Sequence, residues 1–500
     1  PRPAAGTCGW WNREMALTLP LLALLLGCRT CGEKGAPSIG PSQIAVPPAA
    51  PTAAASAPAA AGSALPPMGP RPGRPETLAE MMGVNEGVSL PQALIRKGQI
   101  QPQQEPELLL ADATAMQGLG ARVVRANTAT YPWIHFQAFQ QGGGSFERVD
   151  RWVKTVTEAG LTPLMMLGPW PGIHTASHTD SYLPKDMPAY LAYVRAVVER
   201  YDGDGVDDMP GLTAPVRTWE VDNEPDLHNT VAPKGGGGAG PPELFQTQEE
   251  YAVVLVATAA TIREADPQAL ILSAGFYRPH TPQGKQWIAG LLEQPGVREA
   301  IDILSLHCYY HQDALDTPDR TIQAWRELLP DKGLWVTETS VPISGKQPYV
   351  SETWQGKMVA ATFGAMLAGG ADRVFWHTLA DPPASTPSSY RSPFATNSLF
   401  QAMGAHDAPG TGGLREKPAA TVYRHLNRLA GPSRSDSFVE LEISGGRVLQ
   451  TDRGWLVFWG EVSPPAGATH SVDLLTGTER PVAGRVSAPA WLEARPSDPG

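Results

Sequence analysis

Cysteine is scarce in this chain, with four among 500 residues: Cys8, Cys28, Cys31 and Cys308. That leaves no disulfide framework, and the CxxC spacing of Cys28 and Cys31 runs into an Ala/Pro tract, so it reads as incidental rather than as a metal or redox pair. Basic charge is also short. The net charge of −11 argues against a nucleic-acid partner, which would need basic stripes to neutralise phosphates. No apolar run reaches the ~20 residues that span a bilayer. A Gly-x-Ser-x-Gly elbow is missing, which speaks against a serine esterase. So is a His-x-His strand start of the metal-hydrolase kind, and His135, His174, His178 and His228 have no tight ligand spacing. No metal and no cofactor are expected, and nothing in the sequence sets an oligomeric state.

What is present begins with Leu17–Leu26, an apolar run of the length of a signal-peptide core. It ends in Leu25-Leu26-Gly27-Cys28, which resembles a bacterial lipobox. The resemblance implies cleavage before Cys28, lipidation of its thiol, and an extracytoplasmic protein anchored to the cell envelope or secreted. Contact with a membrane would come only through that anchor. Residues 1–34 are therefore read as a signal peptide. Residues 35–75, rich in Ala, Pro, Gly and Ser, have little branched or aromatic surface to bury and are read as a disordered linker.

From residue 76 the texture changes. Eight short apolar runs, at 81–86, 121–126, 162–167, 216–222, 269–275, 302–308, 333–338 and 372–378, alternate with amphipathic stretches. Continuous apolar runs suit parallel strands buried on both faces. Eight strand–helix units over residues 76–431 predict an α/β fold, a (β/α)8 TIM barrel with insertions. The rival is an open doubly wound sheet, which would usually carry a Gly-rich phosphate turn, and Gly83-Val-Asn-Glu-Gly87 is not GxGxxG. Residues 432–500 hold short strands between Gly and Pro turns and predict a small β-sandwich. Trp455, Trp459 and Trp491 lie there, read either as a sugar platform or, in preference, as core.

In such a barrel, function gathers where the strands end. Glu224 closes the fourth run in WEVDNEPD and Glu338 closes the seventh in VTETS. Two carboxylates facing each other at ~5 Å suit double-displacement glycoside cleavage, one as acid and one as nucleophile. These strings resemble the acid/base and nucleophile motifs of the clan A retaining glycoside hydrolases, and Ala300–Tyr310 resembles their sixth strand. The fourth-strand string looks most like glycoside hydrolase family 39, the β-xylosidase and α-iduronidase family, with Asp222 where that family often has an aromatic residue.

The resemblance implies that Glu338 is the nucleophile and Glu224 the acid/base. It implies that Asn223 binds the hydroxyl beside the anomeric carbon and that Arg125 is a fixed positive charge near Glu338. Tyr309 or His307 would hydrogen-bond near Glu338, and Trp376 would form the apolar floor under the sugar ring. Trp133 and Trp170 are read either as sugar-stacking or as loop packing. Glu220 and Asp222 are read as buried partners of Arg217 or Arg125. The expected partner is a poly- or oligosaccharide. Two alternatives stay open: a carbohydrate-binding surface lipoprotein without turnover, and a transglycosylase using the same site.

Overall fold

The computed structural model describes residues 71–85, 105–126, 146–169, 175–177, 181–184, 186–226, 247–309, 316–343, 351–381, 396–402 and 413–495. Eight parallel strands form its centre: β1 (Met82–Asn85), β2 (Val123–Arg125), β3 (Thr162–Leu167), β4 (Thr218–Val221), β5 (Leu270–Leu272), β6 (Ile303–His307), β7 (Gly333–Thr339) and β8 (Arg373–His377). Each pairs with the next, and β8 pairs with β1, so the sheet closes into a ring. All eight coincide with the apolar runs of the sequence. A two-residue strand, Phe276–Tyr277, continues beyond β5 and pairs with the end of β6.

A helix follows each strand: α1 (Glu105–Gly118), α2 (Glu147–Glu158), α3 (Met187–Tyr201), α4 (Gln248–Ala265), α5 (Pro282–Leu292), α6 (Asp316–Leu328), α7 (Glu352–Ala368) and α8 (Pro418–Leu429). Their starts are chemically marked. Thr247 and Glu250 cap each other at α4, and the Thr281 and Ser351 hydroxyls accept backbone N–H groups at α5 and α7.

The barrel interior is a plug of Val123, Leu164, Leu272, Ile303, Trp335 and Phe375. Full burial of such side chains is worth ~1.5–3 kcal/mol each, so the plug alone strongly favours closure. Gly83 makes room for it, because a Cβ there would lie 2.4 Å from the Phe375 ring. At the N-terminal end of the barrel, buried Asp372 accepts from Arg71, Arg326 and the Leu334 N–H, each within 2.9 Å. Arg71 lies inside the segment read as linker.

The C-terminal β-sandwich is built from antiparallel strands between Val439 and Glu493. One face packs on α7 through Phe458, whose ring would meet a Cβ at Gly364 within 2.4 Å. The other encloses a small core of Val448, Val457, Val462, Ala490 and Leu492. Trp491 is buried, Trp455 packs on the small core, and Trp459 is 45% exposed. Covered on both sides, α7 is buried from Met358 to Ala368 and has no polar face over that stretch.

Candidate active site

The polar side chains converge where strands end, and β4 sets the geometry. The strand carries buried Trp219, Glu220 and Val221, then turns sharply. Asp222 and Glu224 both have left-handed backbones, with φ of 73° and 49°. A residue with a side chain held there costs on the order of 1–3 kcal/mol, so the turn persists only because its surroundings fix it. The Asp222 N–H donates to the Leu167 carbonyl at 2.7 Å, and the Glu224 N–H to the Gly275 carbonyl at 3.2 Å. Asp222 Oδ1 accepts the Asn223 N–H at 2.7 Å. A short carboxylate that satisfies its own neighbour is suited to a left-handed position, and Asp222 is such a residue.

Arg125, at the end of β2, is buried and, besides a contact with the Met166 sulfur at 3.2 Å, binds three oxygen partners. Its Nε donates to Glu220 Oε2 at 2.5 Å, one terminal nitrogen to Glu338 Oε1 at 2.7 Å, and the other to Asn223 Oδ1 at 2.8 Å. Burial works against the cation, but Glu220 and Glu338 outweigh it, so the guanidinium stays charged. Glu220 Oε1 in turn accepts from the Ser305 and Thr337 hydroxyls at 2.7 and 3.0 Å. Arg217 pairs with Asp266 instead, at 2.6 Å.

Glu338, near the end of β7, also accepts from the Tyr309 hydroxyl at 2.5 Å. Burial would raise its pKa, but His307, His377, Arg125 and the Tyr309 hydrogen bond hold it well below the usual carboxylate range. It is an ionised carboxylate. Burial, reinforced by Glu338, pushes the Tyr309 phenol far upward, so it remains a donor.

Glu224 has a different partner. Its Oε1 lies 2.7 Å from Nδ1 of His307, which sits fully buried at the end of β6 and 3.6 Å from Glu338 Oε2. Burial opposes charge on His307, yet Glu338 and the hydrogen bond to Glu224 raise its pKa above the ordinary value. One side-chain oxygen or nitrogen from each of Glu224, His307 and Glu338 lies within 4.8 Å of the others. That spacing also fits a cation, but each of these side chains already has an internal hydrogen-bond partner, and the guanidinium stands against Glu338.

The structure therefore brings Glu224, Glu338, Asn223, Arg125, His307 and Tyr309 together. Trp376 is corrected. Its ring faces outward from the barrel, fully buried, stacked on Phe363 of α7 at 6.4 Å, with Nε1 donating to the Asn397 carbonyl at 2.9 Å. Side chains alternate along a strand. Phe375 points inward, so His377 is the residue of β8 on the site side, edge-on to Tyr309 at 6.1 Å between ring centres. Burial lowers the His377 pKa, and Glu338 works against that shift. Trp133, Trp170 and Cys28 lie outside the described residues.

Two participants escaped sequence reasoning. His377 was detectable by counting strand parity from Phe375. Asp226 was quoted within the motif but given no role. It is fully buried, accepts the Tyr277 N–H at 2.9 Å, and is pushed up to about 7 by burial and then by Glu224. A cavity of about 840 Å³, lined in part by Glu80, Arg122 and Arg428, opens elsewhere, where β2 begins, and neither Glu224 nor Glu338 lines it.

No family model matches the chain, and no curated protein matches it. Solved structures do. An endo-β1,6-glucanase superposes with a TM-score of 0.53 at 12% identity, over 85% of this chain and 94% of its own. A family 51 α-L-arabinofuranosidase from Bifidobacterium longum gives 0.52 at 12% identity, over 86% and 97%. A family 39 β-xylosidase from Caulobacter crescentus gives 0.48 at 18% identity, over 75% and 78%. The chain has the (β/α)8-barrel fold that the first two of these glycoside hydrolases also have.

Proposed function

We propose that the protein is a retaining glycoside hydrolase, most like family 39 of clan A, that cleaves O-glycosidic bonds of a poly- or oligosaccharide. The observation that carries this reading is the pairing of Glu224 and Glu338, with side-chain oxygens within 4.8 Å and different hydrogen-bond partners. Retaining enzymes hold their two carboxyl groups about 5–5.5 Å apart, without room for a water between them and the sugar.

Glu338, kept ionised by Arg125 and Tyr309, attacks the anomeric carbon. The bond to the leaving oxygen breaks as Glu224 gives that oxygen its proton. Water then attacks the anomeric carbon of the glycosyl–Glu338 ester while Glu224 takes a proton from that water, and Glu338 leaves as carboxylate. Arg125 occupies the Asn223 carbonyl oxygen, which leaves the amide N–H groups free to donate to the hydroxyl beside the anomeric carbon. Lipid attachment at Cys28 is part of the same proposal and places the enzyme outside the cytoplasm. Loss of labelled fatty acid in Cys28→Ala tests it.

The test of function is a panel of aryl glycosides and polysaccharides, with the anomeric configuration of the first product followed by NMR. Retention supports the reading and inversion overturns it. Product analysis with added acceptor sugars separates hydrolysis from transglycosylation.

A further inference from the structure

Asp226 is a fully buried carboxyl group that the mechanism above does not use. It follows Glu224 by two residues across Pro225. Its Oδ1 accepts the backbone N–H of Tyr277 at 2.9 Å. Tyr277 is the register partner of His307 in the parallel pairing with β6. His307 Nδ1 lies 2.7 Å from Glu224 Oε1, which closes a ring: Glu224, Asp226, Tyr277, His307, and back to Glu224. A second tie crosses the ring. The Glu224 N–H donates to the Gly275 carbonyl, and Asn223 bridges to Gly275. Gly275 also leaves space for the imidazole, because a Cβ there would lie 2.0 Å from His307 Nε2.

The left-handed backbone of Glu224 is unfavourable by itself, so something must hold it. We propose that Asp226 is a positioning residue for Glu224. By accepting the Tyr277 N–H, it ties the turn that carries Glu224 to the short strand that seats His307, and so sets the Glu224–His307 contact. Asp226 touches neither sugar nor leaving group. Its effect is on the aim of the acid, and this rests on the reading of Glu224 as acid/base.

Acid assistance matters most when the leaving group is poor. The test compares phenyl and dinitrophenyl glycosides of a sugar the wild type cleaves, in Glu224→Ala, Asp226→Ala, Asp226→Asn and Gly275→Ala. Glu224→Ala fixes the signature of lost acid: kcat/KM falls by about 10²–10⁴-fold on the phenyl glycoside and far less on the dinitrophenyl one. Asp226→Ala and Gly275→Ala are expected to show the same imbalance at about tenfold or more, because misplacement alone carries losses up to that of a hundredfold. Asp226→Asn keeps the acceptor and is expected to stay within about threefold of wild type.

Equal losses on both substrates in Asp226→Ala and Gly275→Ala, or no loss in either, overturn the proposal. A second readout needs no turnover. The downfield imidazole N–H resonance that His307→Asn removes is expected to persist in Asp226→Asn and to disappear in Asp226→Ala. Its persistence in Asp226→Ala overturns the proposal too. If Glu224→Ala itself shows no leaving-group dependence, the acid/base assignment fails instead, and the NMR result still decides whether Asp226 sets the contact.

Discussion

Nδ1 of His307 lies 2.7 Å from Oε1 of Glu224, a hydrogen bond that joins the end of β6 to the turn after β4. The other carboxylate, Glu338, is held differently. Arg125 and Tyr309 supply its hydrogen bonds, both to its charged form. The two acids thus differ by partner, and the roles proposed for them rest on that difference.

Removing the acid is expected to cost by leaving group. In Glu224→Ala, kcat on a phenyl glycoside should drop by about 10²–10⁴-fold. Stopped-flow rates on a dinitrophenyl glycoside should show a near-normal first turnover followed by slow release, because water then lacks its base.

Tyr309→Phe removes one hydrogen bond to a buried carboxylate. A bond to a charged group is worth roughly 1.5–3 kcal/mol, so a loss of about ten- to a hundredfold in kcat/KM is expected. The acid limb of the pH–rate profile should move upward as the Glu338 pKa rises. A profile that keeps its acid limb would separate Tyr309 from Glu338.

Trp376 tests the corrected placement. In Trp376→Ala, the packing on Phe363 and the hydrogen bond to Asn397 are lost, at a cost of about 3–5 kcal/mol for so large a truncation. Thermal melting should show it. KM for aryl glycosides should be unchanged, since the ring lies outside the barrel, whereas a sugar floor would raise KM.

Stability should depend on pH in two opposing ways. The Glu338 pKa is depressed in the fold, so its contribution is present above the unfolded value near 4.5 and fades as pH falls below it. The Asp226 pKa is raised from 3.8 to about 7, so ionising it costs stability as pH rises across that window. Asp226→Asn is therefore expected to melt higher than wild type at pH 8 and to match it near pH 4. Melting curves at the two pH values check both signs.

The strands were legible because a barrel strand is buried on both faces and shows as an unbroken apolar run. β4 and β7 announced their carboxylates in the same way, as acid at the end of such a run. Other features were hidden by how the sequence is used. Helix α7 has no polar face from Met358 to Ala368 because the C-terminal sheet covers its outer side, and α1 leaves Leu110 60% exposed, which blurs its stripe. Trp376 misled because an aromatic near a strand end is ambiguous until parity is counted. The left-handed turn at Asp222 and Glu224 has no glycine to mark it. The bond from Asp226 to Tyr277 joins residues 51 apart in sequence.

The central claim is that Glu338 becomes covalently attached to sugar. A 2-deoxy-2-fluoro glycoside with a dinitrophenyl leaving group slows the second step and lets the ester accumulate. Peptide mapping by mass spectrometry after a brief incubation should find one glycosyl group on the peptide containing Glu338 and none on that containing Glu224. Complete turnover of the dinitrophenyl group with no labelled peptide, or a label on Glu224, would contradict it.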